Sequence, residues 1–98
     1  MPTDERVIRK HLIFSGRVQG VGFRWRARQA AEAVGATGWV RNDLRGTVSM
    51  ELQGTEEQLD RVIDMLGRAR WISIEDCNAR RIPVEADERS FITKDDQW

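Results

Sequence analysis

Cysteine is almost missing from this chain: Cys77 is the only one in 98 residues. That excludes an internal disulfide and fits a reducing compartment. Histidine is equally scarce, with His11 alone. One His and one Cys far apart cannot supply a zinc ligand set, so no metal site is expected. A Ser/His/Asp arrangement has no support either. No apolar run approaches the about 18 residues that a membrane span needs. The first ten residues are mostly polar and charged and do not read as a secretory signal. The expectation is a cytoplasmic protein with no membrane partner. Net charge is also absent, with 16 basic residues against 16 acidic ones. A nucleic-acid binder is usually more basic.

What is present suits one folded domain. Residues 1–98 have room for a single core, and 1–8 read as a flexible lead-in. Four tryptophans and three phenylalanines argue against disorder. The charge is unevenly spread. Residues 1–49 carry nine Lys/Arg against four Asp/Glu, and residues 50–98 carry seven against twelve. The imbalance is what solvated faces produce by chance, or it marks an anion site in the basic half.

Taken in order, Lys10 to Val18 reads as a strand, with Leu12, Phe14, Gly16 and Val18 on one face. His11 points the other way and reads as an exposed strand residue. A helix is expected from Gly22 to Val34, because Phe23, Ala27, Ala30, Ala31 and Val34 form one apolar stripe. Gly35 is a natural stop. Thr37 to Asn42 and Gly46 to Gln53 predict a hairpin around a turn at Asn42-Asp43-Leu44-Arg45-Gly46. Thr55-Glu56-Glu57-Gln58 reads as a capping box opening a second helix to about Arg68, buried through Leu59, Val62, Ile63 and Leu66. Trp71 to Val84 and Ser90 to Lys94 read as two further strands, joined by the polar run Glu85 to Arg89. Pro83 marks an exit. The order βαββαβ, with a short last strand, is the ferredoxin-like split βαβ arrangement of the α+β class. It implies an antiparallel sheet with two helices on one face and water on the other. That fold hosts many functions and decides none.

The stretch Gly16-Arg17-Val18-Gln19-Gly20-Val21-Gly22-Phe23-Arg24 carries more information. Three glycines sit where the strand pattern gives way to the helix pattern. Such a turn can curl around a ligand and aim several N–H groups at one point, where the helix dipole adds positive potential. It is neither a Walker A loop nor a dinucleotide fingerprint. A plain strand-to-helix turn would also use glycines, and the stretch alone leaves both readings open. Arg24 falls in the first helical turn, where a cation is misplaced unless an anion sits beside it. Its guanidinium can grip a phosphoryl group through two parallel hydrogen bonds. Asn42 can reach the same region if its strand neighbours the first. An amide can hold a water but is barely basic, so the pair suits only a reaction with a good leaving group. A mixed carboxylic–phosphoric anhydride has one.

The same residues resemble the acylphosphatase family. Gly16 to Arg24 looks like its first signature, and Gly38-Trp39-Val40-Arg41-Asn42 with Gly46-Thr47-Val48 and Gly54 looks like its second. The resemblance is tight from Leu12 to Gly54 and rests on fold pattern beyond Gly67. It implies a small cytosolic enzyme that hydrolyses acyl phosphates to carboxylate and inorganic phosphate without a metal, and no other cofactor is expected; a monomer is the default, since no long unbroken apolar surface stripe is evident. Arg24 would bind the phosphoryl group, and main-chain N–H groups of Gln19, Gly20, Val21, Gly22 and Phe23 would complete the cradle. Asn42 would orient the attacking water. Asp43, beside Asn42, is expected to face solvent in the turn, and Asp95-Asp96 to form a solvated tail. Gln19 is expected to brace the cradle, Trp39 to shield its strand, and Cys77 to be a packing or surface residue. Two alternatives stand beside this reading. An RNA-binding sheet would need paired strand aromatics that are missing here. A domain detached from a larger enzyme fits less well, since the short chain reads as free-standing.

Overall fold

The computed structural model describes residues 6–96. In chain order the elements are β1 (Ile8–Arg17), α1 (Phe23–Val34), β2 (Thr37–Asn42), β3 (Val48–Gly54), α2 (Glu56–Gly67), β4 (Ser73–Ile82) and β5 (Phe91–Thr93). They form one five-stranded sheet in the order β4-β1-β3-β2-β5. The α+β, ferredoxin-like arrangement is therefore present. The lead-in is shorter than expected: Ile8 is buried and pairs with Gly54. The charged run Arg9-Lys10 that follows Ile8, and Arg6 just before Val7, hide it in the sequence. Residues 1–5 of that lead-in lie outside the described residues.

Alternation sends Leu12 and Phe14 of β1, Val40 of β2, and Val48, Met50 and Leu52 of β3 into one core. The helices close that core from one face. α1 contributes Phe23, Ala27, Ala30 and Ala31, and the alanines let it lie close to the sheet. The ring of Phe23 meets that of Phe14 at 5.0 Å, tilted by 54°. Such a pair adds about 1 kcal/mol beyond its area and pins the start of α1 against β1. At its other end Gly35, at φ 82°, turns the chain, and the N–H groups of Gly35 and Ala36 close on Glu32 and Ala31. α2 begins with the expected capping box: Gln58 N–H donates to Thr55 Oγ1 and Thr55 N–H to Gln58 Oε1.

Four strands pair antiparallel, but β5 runs parallel to β2, so the sheet is mixed rather than antiparallel throughout. The cause is where β4 ends. Ile82 lies opposite Arg9, at the end of the sheet where β2 begins. The chain crosses that end and re-enters alongside β2, and from that end it must run in the direction of β2. The crossing segment also corrects the expectation of a face open to water. Glu88 and Glu85 of the crossing bond Arg9 and Gln53, which are buried on the face opposite the helices. At Gly38 a Cβ would stand 1.8 Å from the Glu51 carbonyl oxygen, so β2 and β3 approach this closely only because the residue is glycine.

Candidate active site

The site is built where β1 ends and α1 begins. Val18 is buried and anchors the loop that follows. Gly20 and Gly22 take φ values of 72° and 80°, while a Cβ at either would meet no heavy atom within 4 Å. Backbone conformation, not space, therefore demands glycine there. Among the described residues, no protein acceptor closes on the N–H groups of Gln19 or Gly20. The first turn of α1 has no acidic residue, and no side chain caps it. Its positive end is thus left uncompensated by acids of its own first turn.

A second element holds this loop in place. Gln19 Nε2 donates to the carbonyl oxygens of Asp43 at 2.7 Å and Thr47 at 2.8 Å. One side chain so ties the glycine loop to the β2–β3 turn, the bracing expected of Gln19. Asn42, the last residue of β2, then lines the same cleft as Arg24, Gly20, Gly22, Phe23 and Thr93. The cleft has a volume of about 370 Å³. Val21 lies in the adjoining pocket instead. Thus Arg24 and Asn42, from separate elements, line one cleft beside the glycine loop, although β2 does not neighbour β1 as expected: β3 lies between them.

Two expectations about acids need correction. Asp43 does not face solvent: its side chain is only 14% accessible. Its carboxylate accepts from Arg41 Nε, Thr47 Oγ1 and Ser49 Oγ. Three donors therefore balance its charge within the hairpin. Asp96 is not a solvated tail residue either. Its Oδ1 accepts from Arg24 Nη1 at 2.6 Å. The parallel β5 carries the tail to the start of α1, a contact between positions 24 and 96 that no local pattern announces. Arg28, one turn on from Arg24 in a helix start free of acids, also lines the cleft, as does Thr93, which sequence reasoning missed. Only the placement of β5 beside β2 brings Thr93 there.

A larger concavity of about 610 Å³ lies across the opposite face, around Arg9 and Trp39. It is a poor anion receptor. Arg9 spends its donors on Glu51, Gln53 and Glu88. Burial would raise the Glu51 carboxyl, but bonds from His11 and Arg9 outweigh it and hold that carboxyl below its ordinary value. Trp39 is flanked by Lys94 Nζ at 4.3 Å and the Arg41 guanidinium at 5.1 Å, so it covers its strand. Cys77 is exposed on β4. Although the residue is exposed, partial desolvation of its thiol by neighbouring atoms, with Asp76 adding to it and Lys10 opposing, pushes the pKa up and away from a thiolate nucleophile.

Residues 10–93 match the family model described as acylphosphatase. An acylphosphatase of Bordetella parapertussis is 40% identical over 84 residues, spanning 86% of this chain and 82% of its own. Among solved structures, an acylphosphatase from Coxiella burnetii superposes with a TM-score of 0.83 at 29% identity, over 95% of this chain and all of its own. One from Bacillus subtilis gives 0.82 at 25% identity, over 89% of this chain and 98% of its own. The family match covers nearly all of the sheet and both helices, and the chain belongs to the acylphosphatase family of hydrolases.

Proposed function

We propose that this cleft hydrolyses acyl phosphates by phosphate positioning and water placement, without a metal or other cofactor. The phosphoryl group sits on the N–H groups of Gln19 to Phe23 at the positive end of α1, and Arg24 grips it from the side. To do so, Arg24 exchanges Asp96 for the substrate. Asn42 holds a water against phosphorus through its side-chain carbonyl. The water oxygen bonds phosphorus as the bond from phosphorus to the carboxyl oxygen breaks. The electron pair leaves with the carboxylate, and both water protons stay on the phosphate. No general base is needed because the carboxylate leaves without a proton. Charge stabilisation and orientation carry the rate.

The observation that carries this reading is the meeting of Arg24 and Asn42 in one cleft with Gly20 and Gly22. The same reading makes the protein a cytoplasmic, monomeric, single-domain enzyme acting on small molecules, with no nucleic-acid or membrane partner. The neutral charge and the single cysteine support it. Hydrolysis of benzoyl phosphate with a chelator present is the test. Wild-type turnover should persist, Arg24→Ala should abolish it, and Asn42→Ala should lower kcat by about 10²-fold or more while phosphate still binds. Full activity in either variant defeats the residue assignment.

A further inference from the structure

A second pocket, of about 330 Å³, adjoins the cleft and shares Gly22 and Trp25 with it. Its other walls include Arg26, Arg68, Arg70 and Trp71, and no carboxylate lines it. Both tryptophans are unusually open, Trp25 at 63% and Trp71 at 70% exposure. Among the described residues, some arginines of this chain hold a carboxylate and others do not. Arg9, Arg24, Arg28, Arg41 and Arg68 each hold a carboxylate. Among the described residues, Arg26 and Arg70 hold none, and the buried Arg26 Nε has no hydrogen-bond partner. Arg70 instead lies against the Trp71 ring, 5.7 Å from its centroid.

We infer that this pocket receives the acyl part of the substrate and selects acyl groups that are flat and carry a second anionic group. The inference rests on the functional reading above. In an in-line displacement the leaving oxygen departs on the side away from the attacking water. Asn42, which places that water, lines the cleft but not the second pocket. Gly22 and Trp25 border both, so the inferred path of the acyl group runs over them. A leaving carboxylate on that path meets aromatic faces, which bind a planar group, and unpaired guanidinium groups, which bind a remote carboxylate or phosphate. A neutral, compact acyl group would use neither.

Three acyl phosphates separate these contributions: acetyl, benzoyl and 4-carboxybenzoyl phosphate. Wild type should rank them in rising kcat/KM, with the charged compound ahead of benzoyl phosphate by roughly fivefold, the scale of an exposed ion pair. Arg70→Gln and Arg26→Gln should each shrink that lead, and added salt should shrink it as well. Trp71→Ala should cut the lead of benzoyl over acetyl phosphate. Binding of the inert pair benzylphosphonate and 4-carboxybenzylphosphonate, followed by calorimetry, reads the same preference without turnover. A 4-phosphonooxybenzoyl substrate compares phosphate with carboxylate as the remote group. Hydrolysis with equal kcat/KM for benzoyl and 4-carboxybenzoyl phosphate overturns the inference alone. A binding preference without hydrolysis overturns the functional reading alone. Neither hydrolysis nor preference overturns both.

Discussion

Arg24 Nη1 donates to Asp96 Oδ1 at 2.6 Å, so the cation facing the cleft is held by a carboxylate from the far end of the chain. The Arg24 side chain is 36% accessible, and its pairing is open to solvent and to exchange. A phosphoryl group must displace this carboxylate to gain both Arg24 hydrogen bonds. Partly exposed pairs of this kind contribute about 0.2–1 kcal/mol, and removing the competitor returns that amount to the ligand. Asp96→Asn should therefore tighten inhibition by inorganic phosphate by up to about fivefold. Inhibition constants measured on both proteins check this. Weaker inhibition in the variant would mean that Asp96 serves to orient Arg24 rather than to compete for it.

Gln19 makes a different kind of prediction, because its amide is a donor facing two carbonyl oxygens. Gln19→Ala removes both bonds, and the glycine loop loses its tie to the turn after Asn42. Each lost bond costs about 1 kcal/mol of stability. Misplacing the loop relative to Asn42 should lower kcat/KM by about 10- to 100-fold. Gln19→Glu should be worse than alanine, since it sets an acceptor and a negative charge against two carbonyls. Thermal melts and kinetics on both variants test the order. Equal loss in the two would show that the side chain only fills space.

Much of this was legible from local pattern. Phe23, Ala27, Ala30 and Ala31 predict α1 through their spacing, and Thr55 with Gln58 predicts the start of α2 through a cap that needs only four residues. Val48, Met50 and Leu52 mark β3 by alternation. What stayed hidden depends on contacts between distant positions. Nothing in Phe91-Ile92-Thr93 says that the strand runs parallel to β2, because three residues carry no direction. That placement in turn decides where Thr93 and Asp96 lie. Asp43 escapes local pattern for a related reason. Turn acids usually face water, and only the folded hairpin gathers Arg41, Thr47 and Ser49 around this one.

Gly22 immediately precedes α1 with φ at 80°. Alanine there must adopt a left-handed backbone at a cost of about 1–2 kcal/mol. Because no heavy atom lies within 4 Å of the added Cβ, that cost is purely conformational. Gly22→Asn should recover part of the loss, since asparagine tolerates this region better. Chemical denaturation of the two variants beside wild type measures it. Phosphate affinity should fall more in Gly22→Ala than in Gly22→Asn if the loop relaxes toward a negative φ.

Acid should weaken the fold through Glu51. Its carboxyl is held below the ordinary carboxylate value in the folded chain: burial opposes this, and bonds from His11 and Arg9 outweigh burial. A group depressed by folding adds stability above its unfolded pKa and surrenders it as pH falls through the folded pKa. The contribution of Glu51 should therefore be complete at neutral pH and disappear below the usual carboxylate range. Glu51→Gln should cost about 1.5–3 kcal/mol at neutral pH, the scale of hydrogen bonds to charged groups. The gap between the variant and wild type should close as pH drops below about 4, where an unperturbed glutamate protonates. Arg9→Met is the partner test. Arg9 is only 2% exposed, and removing it strands Glu51 and Glu88 without their cation. That loss should reach about 3–5 kcal/mol at neutral pH and shrink in acid as both carboxylates protonate. Denaturant midpoints followed from about pH 3 to about pH 8, across the carboxylate range, would show the two curves converging. A gap independent of pH would assign the stability to packing around the Arg9 side chain instead of to charge.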